Sequence, residues 1–365
     1  DVPNDQRIKK LKGVLFQAKL GTMYEKTERV ATIAAYLVDV LGADESDILR
    51  LKDEAERAAW LCKSDLVSQV VGEFPKLQGV MGRVYAVESG ETAAVAAAVE
   101  EHYRPVYSGA PLPETVLGAI LGIADKIDSI CGCFSVNLVP TGASDPYALR
   151  RQGIGIVQIM KEKGFSFSLI GLIRKSLELF ESNGASDLET LTNDVYVFIK
   201  NRIAHLLADD GYSKDVIAAV VDVSSEYIPN VWRRVDALEA LKAQTDFEPL
   251  AAAFKRVGNI IKKTGRSTTN LREQAIDSGL IEHDSERELL SAYKQVDLKI
   301  SQAIDSDQFD QALRHIATLR SSVDAFFDGV MVMTDNQDVR QNRLVLLGRI
   351  AGLYEKFADF SKISA

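Results

Sequence analysis

Apolar residues recur along this chain with the spacing of amphipathic helices. Val30, Ile33, Ala34, Leu37 and Leu41 form one stripe, and Val116, Ile120, Ile123, Ile127 and Ile130 form another downstream of Pro111 and Pro113. Leu347, Ile350, Tyr354 and Phe357 repeat the pattern near the end. No stretch sustains the period-two alternation of strands joined by hairpin turns, and the β-branched clusters are short. The pattern predicts a mostly α, multi-domain helical fold. Turn-forming residues concentrate at Val139 to Pro146, at Ser182 to Ser186 and more weakly at Ser224 to Pro229. These breaks predict a helical unit to about Pro140, a middle helical segment to about Pro229, and a C-terminal bundle. No fixed-period repeat or low-complexity tract interrupts them.

The composition of the 365 residues is ordinary, with 46% hydrophobic and 26% charged, which excludes disordered, collagenous and disulfide-scaffold classes. At about 100–200 residues per domain the length suggests two or three domains. No apolar run reaches the roughly 18 residues that span a bilayer. The start, Asp1-Val2-Pro3-Asn4, shows no signal-peptide pattern and no initiator Met, so a soluble fragment or processed product is expected, without membrane contact. Cys62, Cys131 and Cys133 lack the number and spacing of a zinc site and are expected to be buried thiols in a reducing compartment.

Charge changes the picture more than composition does. The net charge is −9, yet Lys255 to Arg272 contains Lys255, Arg256, Lys262, Lys263, Arg266 and Arg272 and no acid. Arg150, Arg151, Lys161, Lys163, Arg174 and Lys175 face only Glu162 in a second cationic stretch, and Arg7, Lys9, Lys10, Lys12 and Lys19 form a third. An acidic total argues against coating nucleic acid non-specifically but leaves room for a local cationic site. Lys255, Asn259 and Lys262 share one side of a helix with Arg256 and Lys263 beside them, while Phe254, Val257, Ile260 and Ile261 take the other. Such a helix packs one face and offers cationic and amide donors to phosphates and unstacked bases with the other. A merely solvated charged face is the alternative.

Familiar catalytic signatures are missing: no G-x-x-x-x-G-K, G-x-G-x-x-G, G-x-S-x-G or H-E-x-x-H occurs. His102, His205, His283 and His315 are far apart and are expected to be surface or packing residues. His283-Asp284 spells a metal-phosphohydrolase dyad, but no earlier histidine supports it. Asp125 and Asp128, three apart on one helix, could join Asp65 in an acidic cluster that binds a hard cation or acts as acid and base. Alternatively Lys63 and Lys126 neutralise them in structural ion pairs.

Longer blocks carry a more specific signal. Leu15-Phe16-Gln17-Ala18-Lys19-Leu20-Gly21-Thr22, Glu25-Lys26-Thr27-Glu28-Arg29, Cys62-Lys63-Ser64-Asp65-Leu66, Leu77-Gln78-Gly79-Val80-Met81-Gly82 and Ala124-Asp125-Lys126-Ile127-Asp128 stand in order in the first half. Asp145-Pro146-Tyr147-Ala148-Leu149-Arg150-Arg151, Ala253 to Ile260 and Val323 to Met333 follow. Together they resemble the β subunit of bacterial-type glycyl-tRNA synthetase over essentially the whole chain, matching its C-terminal half. The resemblance implies an HD-like helical domain over 1–145, a helical connecting region over 146–230, and an anticodon-binding bundle over 231–365 of the type shared with arginyl-tRNA synthetase.

It further implies a tRNA-binding, non-catalytic part of glycine–tRNA ligase, with ATP and Mg used by a separate α subunit or α portion. No cofactor, catalytic residue or metal is then expected in this chain. Its partners would be the tRNA for glycine and the α subunit, in a hetero-oligomer in the cytoplasm or an organelle. Ser64 stands where the dyad histidine of an HD hydrolase would be, so Ser64, Asp65, Asp125 and Asp128 are implied to be degenerate positions. The tRNA-binding candidates are Lys255, Arg256, Asn259, Lys262, Lys263 and Arg266 with Arg340 and Arg343 in the bundle. Arg150 and Arg151 are candidates either for the tRNA backbone or for pairing between domains. An HD-type metal-dependent nucleotide phosphohydrolase and a helical scaffold that docks the catalytic subunit are the competing expectations.

Overall fold

Thr22 shows how the sequence starts a helix here. Its hydroxyl accepts from the Glu25 amide at 3.3 Å while the Glu25 carboxylate accepts from the Thr22 amide at 2.6 Å, a capping box that opens Met23–Leu41. That helix buries Val30, Ile33, Ala34, Leu37 and Val38 and stops at Gly42 in the left-handed region. The computed structural model describes residues 2–42, 45–180, 187–245, 247–265 and 267–364. Helices account for most of them, and among the described residues the paired strands are the short antiparallel Leu15–Gln17 and Gly21–Thr22. The mostly α expectation holds. The middle break at Ser182 to Ser186 lies outside the described residues.

The chain divides into two units, Asp1–Ile203 with Glu226–Pro229, and Ala204–Ser225 with Asn230–Ala365. In the first, Met23–Leu41 and Glu45–Leu61 pack beside Val116–Ser135, the central helix. Val116–Ser135 is not a one-sided amphipathic helix: Val116 is exposed, whereas Leu117 to Ala124 and Lys126 to Phe134 are buried on all sides. Gly118 makes its start possible. A Cβ there would lie 2.2 Å from a carboxylate oxygen of buried Glu101, which accepts from the backbone and hydroxyl of the N-cap Thr115.

The second unit is built on Ile228–Lys242 from Asn230 onward, with Phe247–Lys263, Asp284–Asp305, Phe309–Ala317, Arg320–Gly329 and Gln337–Glu355. Phe254 stacks on Tyr354 at 3.9 Å between ring centres and meets Phe360 edge-on at 5.0 Å. Gln337–Glu355 is buried on most sides. Gly348 and Gly352 let the short helix Thr268–Arg272 lie directly on it, since Cβ atoms there would come within 2.5 Å of Leu271 Cβ and 2.3 Å of Arg272 Cδ. His283 has a plain role: its Nδ1 accepts from the Ser285 amide at 3.2 Å and caps Asp284–Asp305.

Candidate nucleic-acid interface

Phe247–Lys263 buries Phe254, Val257 and Ile261, and this fixes which side faces out. Arg256, Asn259, Lys262 and Lys263 are exposed, Lys255 and Ile260 are half-buried, and Arg266 lies outside the described residues. The Arg256 guanidinium sits 4.4 Å above the Phe327 ring, and its Nη2 is 3.5 Å from the Phe327 carbonyl. Lys262 Nζ donates to Ser361 Oγ at 3.2 Å. Among the described residues no carboxylate pairs with Lys255, Arg256, Lys262 or Lys263. A row of cations without counter-charges on an exposed helix face holds an outward positive potential that a polyanion lowers.

Arg340 and Arg343, one turn apart, are placed differently. Arg343 is buried, donating to Glu286 at 2.8 Å, to Glu282 at 3.1 Å and to the Met331 carbonyl at 3.2 Å, so its charge is spent inside the bundle. Arg340 is half-buried, has no carboxylate partner among the described residues, and lines an open groove. Thr264, Asn270, Gln274, Met333, Gln337, Asp338 and Gln341 line it as well. The glycine-permitted packing of Thr268–Arg272 brings Asn270 and Gln274 there, and Gln341 donates to Gln274 at 2.7 Å. The loop above carries two outward apolar side chains, Met331 at 76% and Met333 at 56% exposure. Guanidinium, carboxylate and amide groups beside exposed thioethers can pair with the edge of a base and cover its face.

Arg150 is half-buried in the first turn of Leu149–Lys163. Exposed Arg151 donates to the Val106 carbonyl at 3.3 Å.

Ser64, Asp65, Asp125 and Asp128, expected as degenerate positions of an HD-like site, do not converge as ligands. Buried Ser64 and Asp65 lie in the turn Ser64–Val67, where Asp65 Oδ2 accepts from the amides of Gly79 at 2.7 Å and Gly82 at 3.1 Å. Burial raises the Asp65 pKa in spite of those amides. Asp125 meets Lys26 and Lys63, each at 3.1 Å, and Asp128 meets Lys26 at 2.9 Å and Arg29 at 2.6 Å. Burial works to raise the Asp125 pKa, but Lys26 and Lys63 overrule it and hold the carboxyl well below its ordinary value. The centre thus carries ammonium groups against its carboxylates, a donor set that repels a divalent cation. Among the described residues no three His, Cys, Asp or Glu side chains gather as metal ligands.

Three members of this centre differ from expectation. Lys126 makes no ion pair with the aspartates, though its charge still acts on Asp125; its ammonium donates to the carbonyls of His102 and Arg104 at 2.9 Å and of Gly122 at 3.3 Å. Burial brings its pKa down to about 8. Lys26, outside the expected cluster, supplies the cation to both aspartates and shares the inward stripe of Val30, Ile33 and Leu37. His102 is no bystander: its Nδ1–H donates to the Val99 carbonyl at 2.7 Å, leaving Nε2 to accept from Lys63 at 2.9 Å.

Burial, then the charge of Lys63, pushes the His102 pKa well below 6.5. The unfolded chain therefore gains a proton near pH 6.5 that the folded chain refuses. Stability should be complete above that pH and fall below it, by at most about 1.4 kcal/mol per pH unit. Thermal melts from pH 7 to pH 5 should show the loss in the native chain and a shallower one in His102→Gln; equal pH slopes would contradict it.

Among the described residues no helix is long and apolar enough to cross a membrane. The family model for the glycyl-tRNA synthetase beta subunit matches residues 1–222, and that for the DALR anticodon binding domain matches residues 250–358. The glycine–tRNA ligase beta subunit of Desulfatibacillum aliphaticivorans is 49% identical over 358 residues, 98% of this chain and 50% of that protein. Its counterpart from Desulforapulum autotrophicum is 46% identical over 359 residues, 98% of this chain and 51% of that protein. The chain spans about half the length of these curated relatives. On the first family model, which covers more than half its residues, the chain belongs to the glycyl-tRNA synthetase beta subunit family.

Proposed function

We propose that this chain is a tRNA-binding, non-catalytic portion of glycine–tRNA ligase, the enzyme that attaches glycine to its tRNA with ATP. The observation that carries the reading is the unpaired cationic face of Phe247–Lys263, within the stretch that matches an anticodon-binding domain. Phosphates of the RNA follow Lys255, Arg256, Lys262 and Lys263, while the groove beside Arg340 reads a base. Arg343, committed to Glu286, holds the bundle together instead. The α subunit or α portion performs the chemistry with ATP and Mg, and this chain joins it in a hetero-oligomer, in the cytoplasm, without a cofactor of its own. Nucleotide hydrolysis at the HD-like centre is disfavoured by its chemistry, because Lys26 and Lys63 occupy the carboxylates a metal would need.

Glycine codons require two cytosines in the anticodon, and an unstacked cytosine offers two acceptors, O2 and N3, beside one N4 donor. Arg340 and Asp338 in the groove supply the complementary donors and acceptor. Arg340→Ala should weaken binding of the glycine tRNA by about 1–3 kcal/mol and shrink the penalty for replacing an anticodon cytosine. Titrations against native and anticodon-substituted tRNA check this; an unchanged penalty would remove the groove from base reading.

A further inference from the structure

A second place in the chain keeps positive charge without compensation. Arg202, on Leu188–Asp209, runs its stem over Gly153 of Leu149–Lys163, so that a Cβ at Gly153 would lie 3.3 Å from Arg202 Cγ. Gly153 is one turn beyond Arg150 on the same helix face. The Arg202 guanidinium is held 4.8 Å from the Phe198 ring centre, and Phe198 is itself braced edge-on by Phe134 at 5.3 Å. Its Nη1 is buried with no hydrogen-bond partner. Among the described residues neither Arg150 nor Arg202 has a carboxylate partner. The acid whose charge acts on Arg202 is Asp145, whose two oxygens already accept from the amides of Leu149 at 2.8 Å and Arg150 at 3.0 Å. Burial, and next the charge of Arg150, lowers the Arg202 pKa.

The Arg150 charge acts on an Arg202 guanidinium that keeps an unsatisfied buried N–H, and the two cations repel each other unless an anion arrives. We propose that Arg150 and Arg202 form a clamp for a phosphodiester of the tRNA backbone, away from the anticodon-binding stretch. The planar forks of two arginines suit the several oxygens of a phosphate. A polynucleotide fits better than a single acidic side chain because the same helix, Leu149–Lys163, also carries Arg151, Lys161 and Lys163 and a single acid, Glu162. This inference rests on the tRNA-binding reading and extends it to residues that the anticodon does not need.

The test is tRNA binding by the 365-residue chain across a salt series, with Arg150→Met, Arg202→Met, both together, and Arg202→Lys. The double variant should bind roughly tenfold more weakly at 0.1 M salt, with a log–log salt slope shallower by about 1–2. Its discrimination between anticodon variants should stay native, and its melting temperature should equal or exceed that of the native chain because repulsion is relieved. Arg202→Lys should restore the slope but only part of the affinity. A double variant with native affinity and slope overturns the clamp, including the case where it loses an acidic protein partner instead. So does a binding loss accompanied by a lower melting temperature. If the native chain itself binds no tRNA across the series, the tRNA reading fails and the clamp with it.

Discussion

Lys26→Met is expected to destabilise the unit containing Asp1–Ile203 by about 3–5 kcal/mol in urea unfolding, the range for a buried charge pair that loses one partner. Lys26 is 2% exposed, and its ammonium reaches Asp128 at 2.9 Å, Ser129 Oγ at 2.9 Å, the Asp125 carbonyl at 3.0 Å and the Phe16 ring at 4.7 Å. Removing it leaves the buried Asp128 and the largely covered Asp125 each short of a cation. Lys52→Met is the contrast, because Lys52 meets Asp39 at 2.9 Å with both side chains exposed. Water screens that pair, so less than about 1 kcal/mol should be lost. Combining Lys26→Met with Asp128→Asn should cost less than the sum of the two single changes, since the stranded charge disappears with its partner. A Lys26→Met variant as stable as Lys52→Met would show that the centre is not held by its ion pairs.

The second large effect concerns the cationic face. Changing Lys255, Arg256, Lys262 and Lys263 together to Gln should lower tRNA affinity by roughly 10²–10³-fold near physiological salt and flatten the salt slope by about 3–4, one counterion per lost contact. Folding should survive, because the buried side of that helix, Phe254, Val257 and Ile261, is untouched. Circular dichroism and thermal melting establish that point separately from binding. Native affinity in the quadruple variant would reduce the face to a solvated surface.

Local periodicity made the helices legible: Val30, Ile33, Ala34 and Leu37 are buried as their spacing demands, and the basic helix turns Arg256, Lys262 and Lys263 outward with Lys255 half-buried. Partners brought together by folding were not legible. Lys26 and Asp128 are 102 positions apart, so nothing local links them. A usable signal did exist. Lys26, His102 and Arg343 each continue an inward apolar stripe, Arg343 with Val339, Leu346, Leu347 and Ile350, and all three are buried with polar partners. A basic or imidazole side chain on the inward side of a helix marks an internal polar pair, whereas a cation opposite the stripe marks an outward face. The groove beside Arg340 was half visible. Its arginine was evident, but Asn270 and Gln274 reach it only because Gly348 and Gly352 allow one helix to lie on another.

The most direct measurement is a titration of this chain with the tRNA for glycine, with a non-cognate tRNA, and with glycine tRNA whose anticodon cytosines are replaced. The predicted result is tightest binding to the glycine tRNA, weakened by about 1–3 kcal/mol for each replaced base that is read, with affinity falling as salt rises. Equal affinity for all three RNAs, or none for any, would contradict the assignment of this helical chain to tRNA recognition.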